Sequence, residues 1–442
     1  MRLQKMALKT RLTVALAVLM LAGAMPADAQ VQRSARHDFQ VVTVAEGFVN
    51  PWAIAWLPNG DMLVTERAGR LRIVRGGELL AAPVSGVPEV VAQGQGGLLD
   101  VIVHPDFESN SFIYLSYSRE KDSGEGASTG VVRGRLQDSA LMDVEQIWVA
   151  ESTGRNGHFG SRMAWDADGY LYITAGDRQI SPSGDLEAHP AQDYSNHHGV
   201  IVRLHDDGRI PADNPFIGTD GALSDIYSYG HRNPQGLIID QSTGNIWATE
   251  HGPQGGDELN LIKPGANYGW PVVGFGVNYG SGSAIHSATQ GEGMENPSHI
   301  WVPSIALSGL MMYRGDKFPA WNGNIFAGGH GWSAARSPHG GWRDGDEGRD
   351  AVAATRPHPR CARGTRRVHL RGNRRSSRSP NANRAPGASG GALGRHSGRQ
   401  QEEPGNLMLF GPSLLDPVSY PAIPAPNWTQ PTPHPRLLYP ST

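Results

Sequence analysis

The 442-residue chain contains one cysteine, Cys361. A single thiol forms no internal disulfide and no multi-thiolate zinc or iron–sulfur site, so any bound metal is held by oxygen or imidazole. Long apolar runs are also scarce: beyond the first 30 residues none approaches the ~18 residues needed to cross a bilayer. Charged residues make up only 18% of the chain, and 57 Gly and 32 Pro interrupt it at about every fifth position. Unbroken Ala/Glu/Lys/Leu-rich stretches are therefore missing, which excludes a long coiled coil or a helical bundle. What remains is a turn-rich chain with room for one large β or α/β-barrel domain, or for two smaller ones.

Residues 1–29 read as a secretory leader. Arg2, Lys5, Lys9 and Arg11 form a basic start, Leu12–Ala24 an apolar stretch, and Ala27-Asp-Ala29 a small-residue cleavage site before Gln30. The apolar stretch is too short to span a membrane, so the expected location is periplasmic or secreted, with no membrane span in the mature chain. The formal charge of −3 hides two opposed regions. Residues 336–403 hold fifteen Arg and no Lys, whereas residues 30–335 are strongly acidic, near −15. An acidic body argues against nucleic acid as a partner and suits a hard cation or a neutral substrate.

From Phe39 to about Gly329 one theme recurs. A short apolar or alternating stretch enters an Asn-Gly, Asp-Gly or Thr-Gly-Asn turn and leaves as a β-rich stretch, as in 53–65, 163–174 and 236–249. Gly and Asn tolerate positive φ in such turns, so these units read as hairpins. Residues 99–107 with 112–117 form a variant with a longer turn. Degenerate β units at irregular spacing, with no linker between halves, predict an all-β fold: β-propeller blades carrying long loops, over residues 30–330. The chain then changes character. From 331 to 400 large apolar residues are few and scattered (Trp332, Trp342, Val352, Val368, Leu370, Leu393), and Arg, Gly, Ala, Pro, Ser and His dominate. Such a stretch is not expected to form the strands of a packed blade. Residues 331–442 are expected to be either a genuine disordered tail or the product of a shifted reading frame; the abrupt onset and the absence of Lys favour the second.

Four clusters carry chemistry, all in loops. Gln95-Gly-Gly-Leu-Leu99 alone is a Gly turn entering a strand. Asn156-Gly-His158-Phe-Gly-Ser-Arg162 offers an imidazole among glycines, able to act as a general base on a hydroxyl, although His158 is one of 17 histidines. Tyr229-Gly-His-Arg232-Asn233-Pro-Gln-Gly236 presents a cation beside an amide, suited to a planar ligand rich in carbonyl and carboxylate oxygen or, equally, to an exposed turn. Glu250-His251-Gly252-Pro253-Gln-Gly-Gly-Asp-Glu-Leu-Asn260, followed by Asn267-Tyr-Gly-Trp-Pro271, has the oxygen chemistry for Ca²⁺ without the EF-hand spacing, and otherwise reads as an acidic loop.

In this order and together, these motifs resemble the soluble quinoprotein sugar dehydrogenases, the aldose sugar dehydrogenase branch more than the glucose dehydrogenase branch. The resemblance runs from about Phe39 to Gly329. It implies a six-bladed β-propeller that binds pyrroloquinoline quinone (PQQ) and Ca²⁺ and oxidises an aldose sugar at C1 to its lactone, passing electrons to an acceptor that the motifs do not name. It further implies His158 as the base that takes the C1 hydroxyl proton as hydride passes to PQQ. Arg232 would stand beside the reacting quinone carbonyl, with Asn233, Gln95 and His251 as cofactor contacts. The main-chain carbonyls of Gly252 and Pro253 would ligate the metal. Gly157 stands where the glucose dehydrogenase branch has an Asp able to orient the imidazole, so that partner is expected elsewhere or absent. The Lys and the Arg-x-Arg-Asp-Val motif with which the family clamps its anionic cofactor do not occur after Gly329. Two other readings share the propeller: a Ca²⁺-dependent lactonase, and a sugar- or protein-binding module without catalysis.

Overall fold

The computed structural model describes residues 31–34, 36–40, 42–121, 126–330 and 350–355. The expected leader and most of the expected tail lie outside the described residues.

The hairpin units appear where the turn chemistry places them. Strands β1 (Val31–Arg33) and β2 (Asp38–Gln40) form a two-stranded sheet. Strands β3 (Pro51–Trp56), β4 (Met62–Glu66), β5 (Arg70–Arg75) and β6 (Glu78–Leu79) form the first four-stranded antiparallel meander. The second is β7 (Leu98–Val103), β8 (Phe112–Glu120), β9 (Ala127–Gln137) and β10 (Ala140–Val149). Its longer first turn holds the short helix α1 (Phe107–Asn110). The third comprises β11 (Met163–Trp165), β12 (Leu171–Ala175), β13 (Val200–Leu204) and β14 (Ile226–Ser228). The fourth comprises β15 (Pro234–Ile239), β16 (Ile246–Glu250), β17 (Asp257–Ile262) and β18 (His299–Trp301). Strands β19 (Leu307–Met312), β20 (Ile325–His330) and β21 (Asp350–Thr355) form a three-stranded sheet. Gly60 and Gly169, at φ 86° and 81°, sit in the turns after Asn59 and Asp168, where a Cβ would be strained.

Strand β21 corrects one expectation, since it lies inside the segment whose composition argued against blade strands. It pairs antiparallel with β20 from Ile325↔Thr355 to His330↔Asp350. The ladder is made by main-chain groups, which a run such as Ala351-Val-Ala-Ala354 supplies as well as any other.

The second strands β4, β12 and β16 are buried at all five positions. That is the signature of a strand covered on both faces, here by the neighbouring sheets. The first strands β3, β7, β11, β15 and β19 pack one beside the next in that order, which gives an all-β, propeller-like arrangement. Arg162 ties this inner wall together. Its guanidinium bonds Asp100 of β7 at 2.9 Å and the Gln235 carbonyl of β15 at 2.9 Å, and lies 4.3 Å from the Trp52 ring centroid of β3. Among the described residues, no helix is long and apolar enough to cross a membrane.

Candidate active site

The residues singled out in the sequence fall on one end of the sheets. Gln95, His158 and the Arg232-Asn233 pair lie just before the first strands β7, β11 and β15. His251, Gly252 and Pro253 follow the second strand β16. Antiparallel pairing makes first-strand entry and second-strand exit the same edge, so all seven gather there. Register shifts at the starts of β3, β7, β15 and β19 bend these strand ends, as bulges do beside functional sites.

The orienting partner of His158 comes from another turn of the same sheet. Asp177, two residues beyond β12, places Oδ1 2.5 Å from His158 Nδ1. The ring therefore donates Nδ1–H to the carboxylate, and Nε2 is left as the basic nitrogen. Asp177 is itself anchored: Oδ2 accepts the Trp270 indole N–H at 2.7 Å, Oδ1 accepts the Gln179 amide at 2.9 Å, and its own amide donates to the Arg232 carbonyl at 2.8 Å. Burial would push the Asp177 carboxyl up, but the His158 imidazole and then Arg232 hold it below the usual carboxylate range. For His158, burial pushes the imidazole down, the Asp177 carboxylate opposes that, and Arg232 adds to it. The net direction is downward, so the ring is neutral and basic at neutral pH.

Gln95 and Asn233 brace this loop. Gln95 Oε1 accepts the His158 amide at 2.7 Å, and Asn233 Oδ1 accepts the Gly160 amide at 3.2 Å. Asn233 is 3% exposed and also accepts from Gln235 Nε2 at 3.2 Å. Its carbonyl oxygen is thus engaged within the protein.

Beside this group opens a cleft lined among others by Arg232, His251, Gly252, Pro253, Glu258 and Trp270. Asp177 links His158 to this cleft through the Trp270 indole and the Arg232 carbonyl, both residues of its lining. The Arg232 Nη1 donates to the His251 carbonyl at 2.9 Å, its amide donates to Glu250 Oε2 at 2.7 Å, and its Nε is buried without a partner. Glu250 Oε1 accepts from His231 Nδ1 at 3.0 Å and from Asn260 Nδ2 at 2.8 Å, which locks the third and fourth motifs together. Burial first, and Glu250 second, raise the Glu258 carboxyl well above the usual range. The His251 ring bonds the Leu307 carbonyl through Nε2, and burial pushes it down. Gly252 donates its amide to Asp257 Oδ1 at 3.0 Å, and a Cβ there would strike the Gly255 and Gly256 carbonyls at 2.4 and 2.3 Å. Only glycine fits that turn.

Sequence reasoning named no role for Asp177 or Trp270. The signal for Asp177 was present: a carboxylate and an arginine, Asp177-Arg178, two residues beyond the β-rich run Leu171–Ala175. Trp270 lay within a quoted motif, and only its contact 93 positions away gives it a function.

A family model described as Glucose / Sorbosone dehydrogenase matches residues 48–334. The aldose sugar dehydrogenase YliI of Escherichia coli is 46% identical over 288 residues, which are 63% of this chain and 74% of that protein. The solved soluble aldose sugar dehydrogenase of Escherichia coli in its apo form superposes with a TM-score of 0.62 at 42% identity, covering 66% of this chain and 83% of that one. The PQQ-bound form of the aldose sugar dehydrogenase from Streptomyces coelicolor gives a TM-score of 0.53 at 30% identity, over 68% and 78% of the two chains.

Proposed function

The chain belongs to the glucose/sorbosone dehydrogenase family, and on that footing we propose that it oxidises an aldose at C1 to the lactone, in the periplasm or outside the cell, using PQQ and Ca²⁺ in the cleft beside Arg232. The observation that carries the reading is the His158–Asp177 pair, which shares one hydrogen-bonded network with the wall of that cleft through Trp270 and Arg232.

The residues present fit both groups. The cleft offers an unpartnered buried guanidinium nitrogen and an indole wall to a planar, oxygen-rich anion. Gly252 and Pro253 form a turn so tight that a side chain at 252 is excluded, and carbonyls of this kind suit Ca²⁺. When bound, the quinone is a two-electron hydride acceptor and Ca²⁺ a Lewis acid beside it.

His158 Nε2 takes the proton of the C1 hydroxyl, and Asp177 stabilises the imidazolium that results. Asp177 does this without moving, because Trp270, Gln179 and Arg232 already hold it. With the quinone bound, Arg232 would stabilise negative charge on its oxygen. Gln95 and Asn233 keep the His158 loop in place. Six sheets are described, and we read the two-stranded one as part of a sixth blade. Phe39 of β2 packs on Tyr313, Trp321 and Phe326 beside the three-stranded sheet, while Ala45 and Phe48, just beyond it, pack on Met62, Val64 and Val74 of the first four-stranded sheet.

The test is to add PQQ, Ca²⁺ and an aldose to the purified chain with a redox dye as electron acceptor. Dye bleaching that needs all three additions is expected. Lactone hydrolysis with no bleaching would establish the lactonase instead, and sugar binding with neither reaction would establish a binding module.

A further inference from the structure

Arg178 is fully buried, yet none of its hydrogen bonds goes to a carboxylate. Its Nε donates to the Gly157 carbonyl at 3.0 Å, Nη1 to the Ala127 carbonyl at 2.6 Å and Nη2 to the Arg155 carbonyl. The guanidinium carbon lies 3.8 Å from the Phe159 ring centroid. The residues gripped, 155, 157 and 159, alternate along the segment that carries His158. The Arg178 carbonyl in turn accepts the Arg155 amide at 2.9 Å. His158, Arg178 and Gln179 all have φ in the left-handed region, at 49°, 57° and 57°. Non-glycine residues stay there only where their surroundings over-determine the backbone.

An apolar side chain would fill the same volume without the desolvation cost of a buried cation. What Arg178 adds is three directed donors and a charge. Resting on the reading of His158 as the base, we infer that Arg178 is its positioning residue: the guanidinium holds the main chain on both sides of the imidazole while the adjacent Asp177 holds the ring. Two neighbouring residues thus hold the ring and the main chain that carries it, and the Ala127 carbonyl of β9 anchors the arrangement to the second four-stranded sheet.

The charge has a further effect. The charged and titratable groups facing His158 are Asp177 and Arg178 after β12, Arg232 before β15 and His251 after β16. Asp177 favours the imidazolium, and the two arginines disfavour it.

The test compares Arg178→Met and Arg178→Lys with the parent full chain. His158 is titrated by NMR without added cofactor, and kcat and KM are measured with PQQ, Ca²⁺ and aldose. Arg178→Met should move the His158 titration to higher pH and lower kcat about 10–100-fold, with KM within about twofold, because the cofactor and substrate walls are untouched. Arg178→Lys should leave the titration near that of the parent and still lower kcat, because one ammonium cannot grip three carbonyls. A folded Arg178→Met chain with parental kcat, or one whose His158 titration does not move, overturns the assignment. So does failure of both variants to fold, which would make Arg178 a structural brace alone. If the parent oxidises no aldose, the functional reading fails, while NMR shifts of the 155–159 amides in Arg178→Met still decide whether Arg178 positions His158: shifts confined to position 178 overturn it.

Discussion

At His158 the environment sets both the tautomer and the charge. The carboxylate 2.5 Å from Nδ1 directs the lone pair to Nε2, and burial keeps the ring neutral below its ordinary pKa of 6.5. His158→Ala should lose turnover by about 10²–10⁴ while still binding PQQ, since its role is proton removal; a cofactor fluorescence titration beside steady-state rates separates the two. For Asp177→Asn the sign follows from the carboxylate favouring the imidazolium. Without it the imidazole pKa falls further, so the acid limb of kcat/KM against pH moves to lower pH while the plateau drops. A limb that stays in place would mean that another group titrates. Arg232→Ala should lower kcat about 10²–10³-fold and weaken cofactor binding, because the guanidinium acts in ground and transition states alike. Arg232→Lys should recover only part, since an ammonium lacks the planar fork.

Among the elements, the first strands carry the burden of alignment, and Arg162 shows how. It sits at the entry to β11 and reaches β3, β7 and β15, so four sheets meet at one side chain. Asp100 is almost wholly buried, its Oδ2 also takes the Met163 amide at 2.8 Å, and burial pushes its carboxyl up against the pull of Arg162. Arg162→Met should therefore destabilise the fold by about 3–5 kcal/mol, the usual consequence of leaving a buried charge unpaired. Adding Asp100→Leu should restore much of that loss, and denaturant unfolding of the single and double variants measures both. A single variant as stable as the parent would show that the inner strands align without this tie.

Over the whole molecule, charge and topology act on the same question. The body is strongly acidic, which opposes a polyanionic cofactor at long range. Among the described residues, Arg232 is the one Arg or Lys lining the cleft. The chain as written, without the Lys and the Arg-x-Arg-Asp-Val motif, should therefore bind PQQ weakly. A gene with one nucleotide inserted or deleted near codon 330 should encode alternating β segments with both features, and its product should bind PQQ more tightly in an equilibrium titration. Equal affinities, or alternative frames that contain no strand pattern, would show that residues 331–442 are a genuine tail.

Local chemistry determined the hairpins by itself. Asn59-Gly60 and Asp168-Gly169 demand positive φ, and the apolar stretches around them are strands because alternation and turn residues act over a few positions. The same short range made Arg232-Asn233 and Gly252-Pro253 legible as loops with ligand chemistry. It did not reveal that β21 pairs with β20, since a main-chain ladder needs no apolar side chains. The partners of the base were decided only by tertiary structure. Asp177 lies 19 positions from His158, and Trp270 lies 93 from Asp177. No periodicity links such residues; sheets stacked around a common axis bring the same end of successive strand pairs together, and only that stacking turns scattered loops into one site.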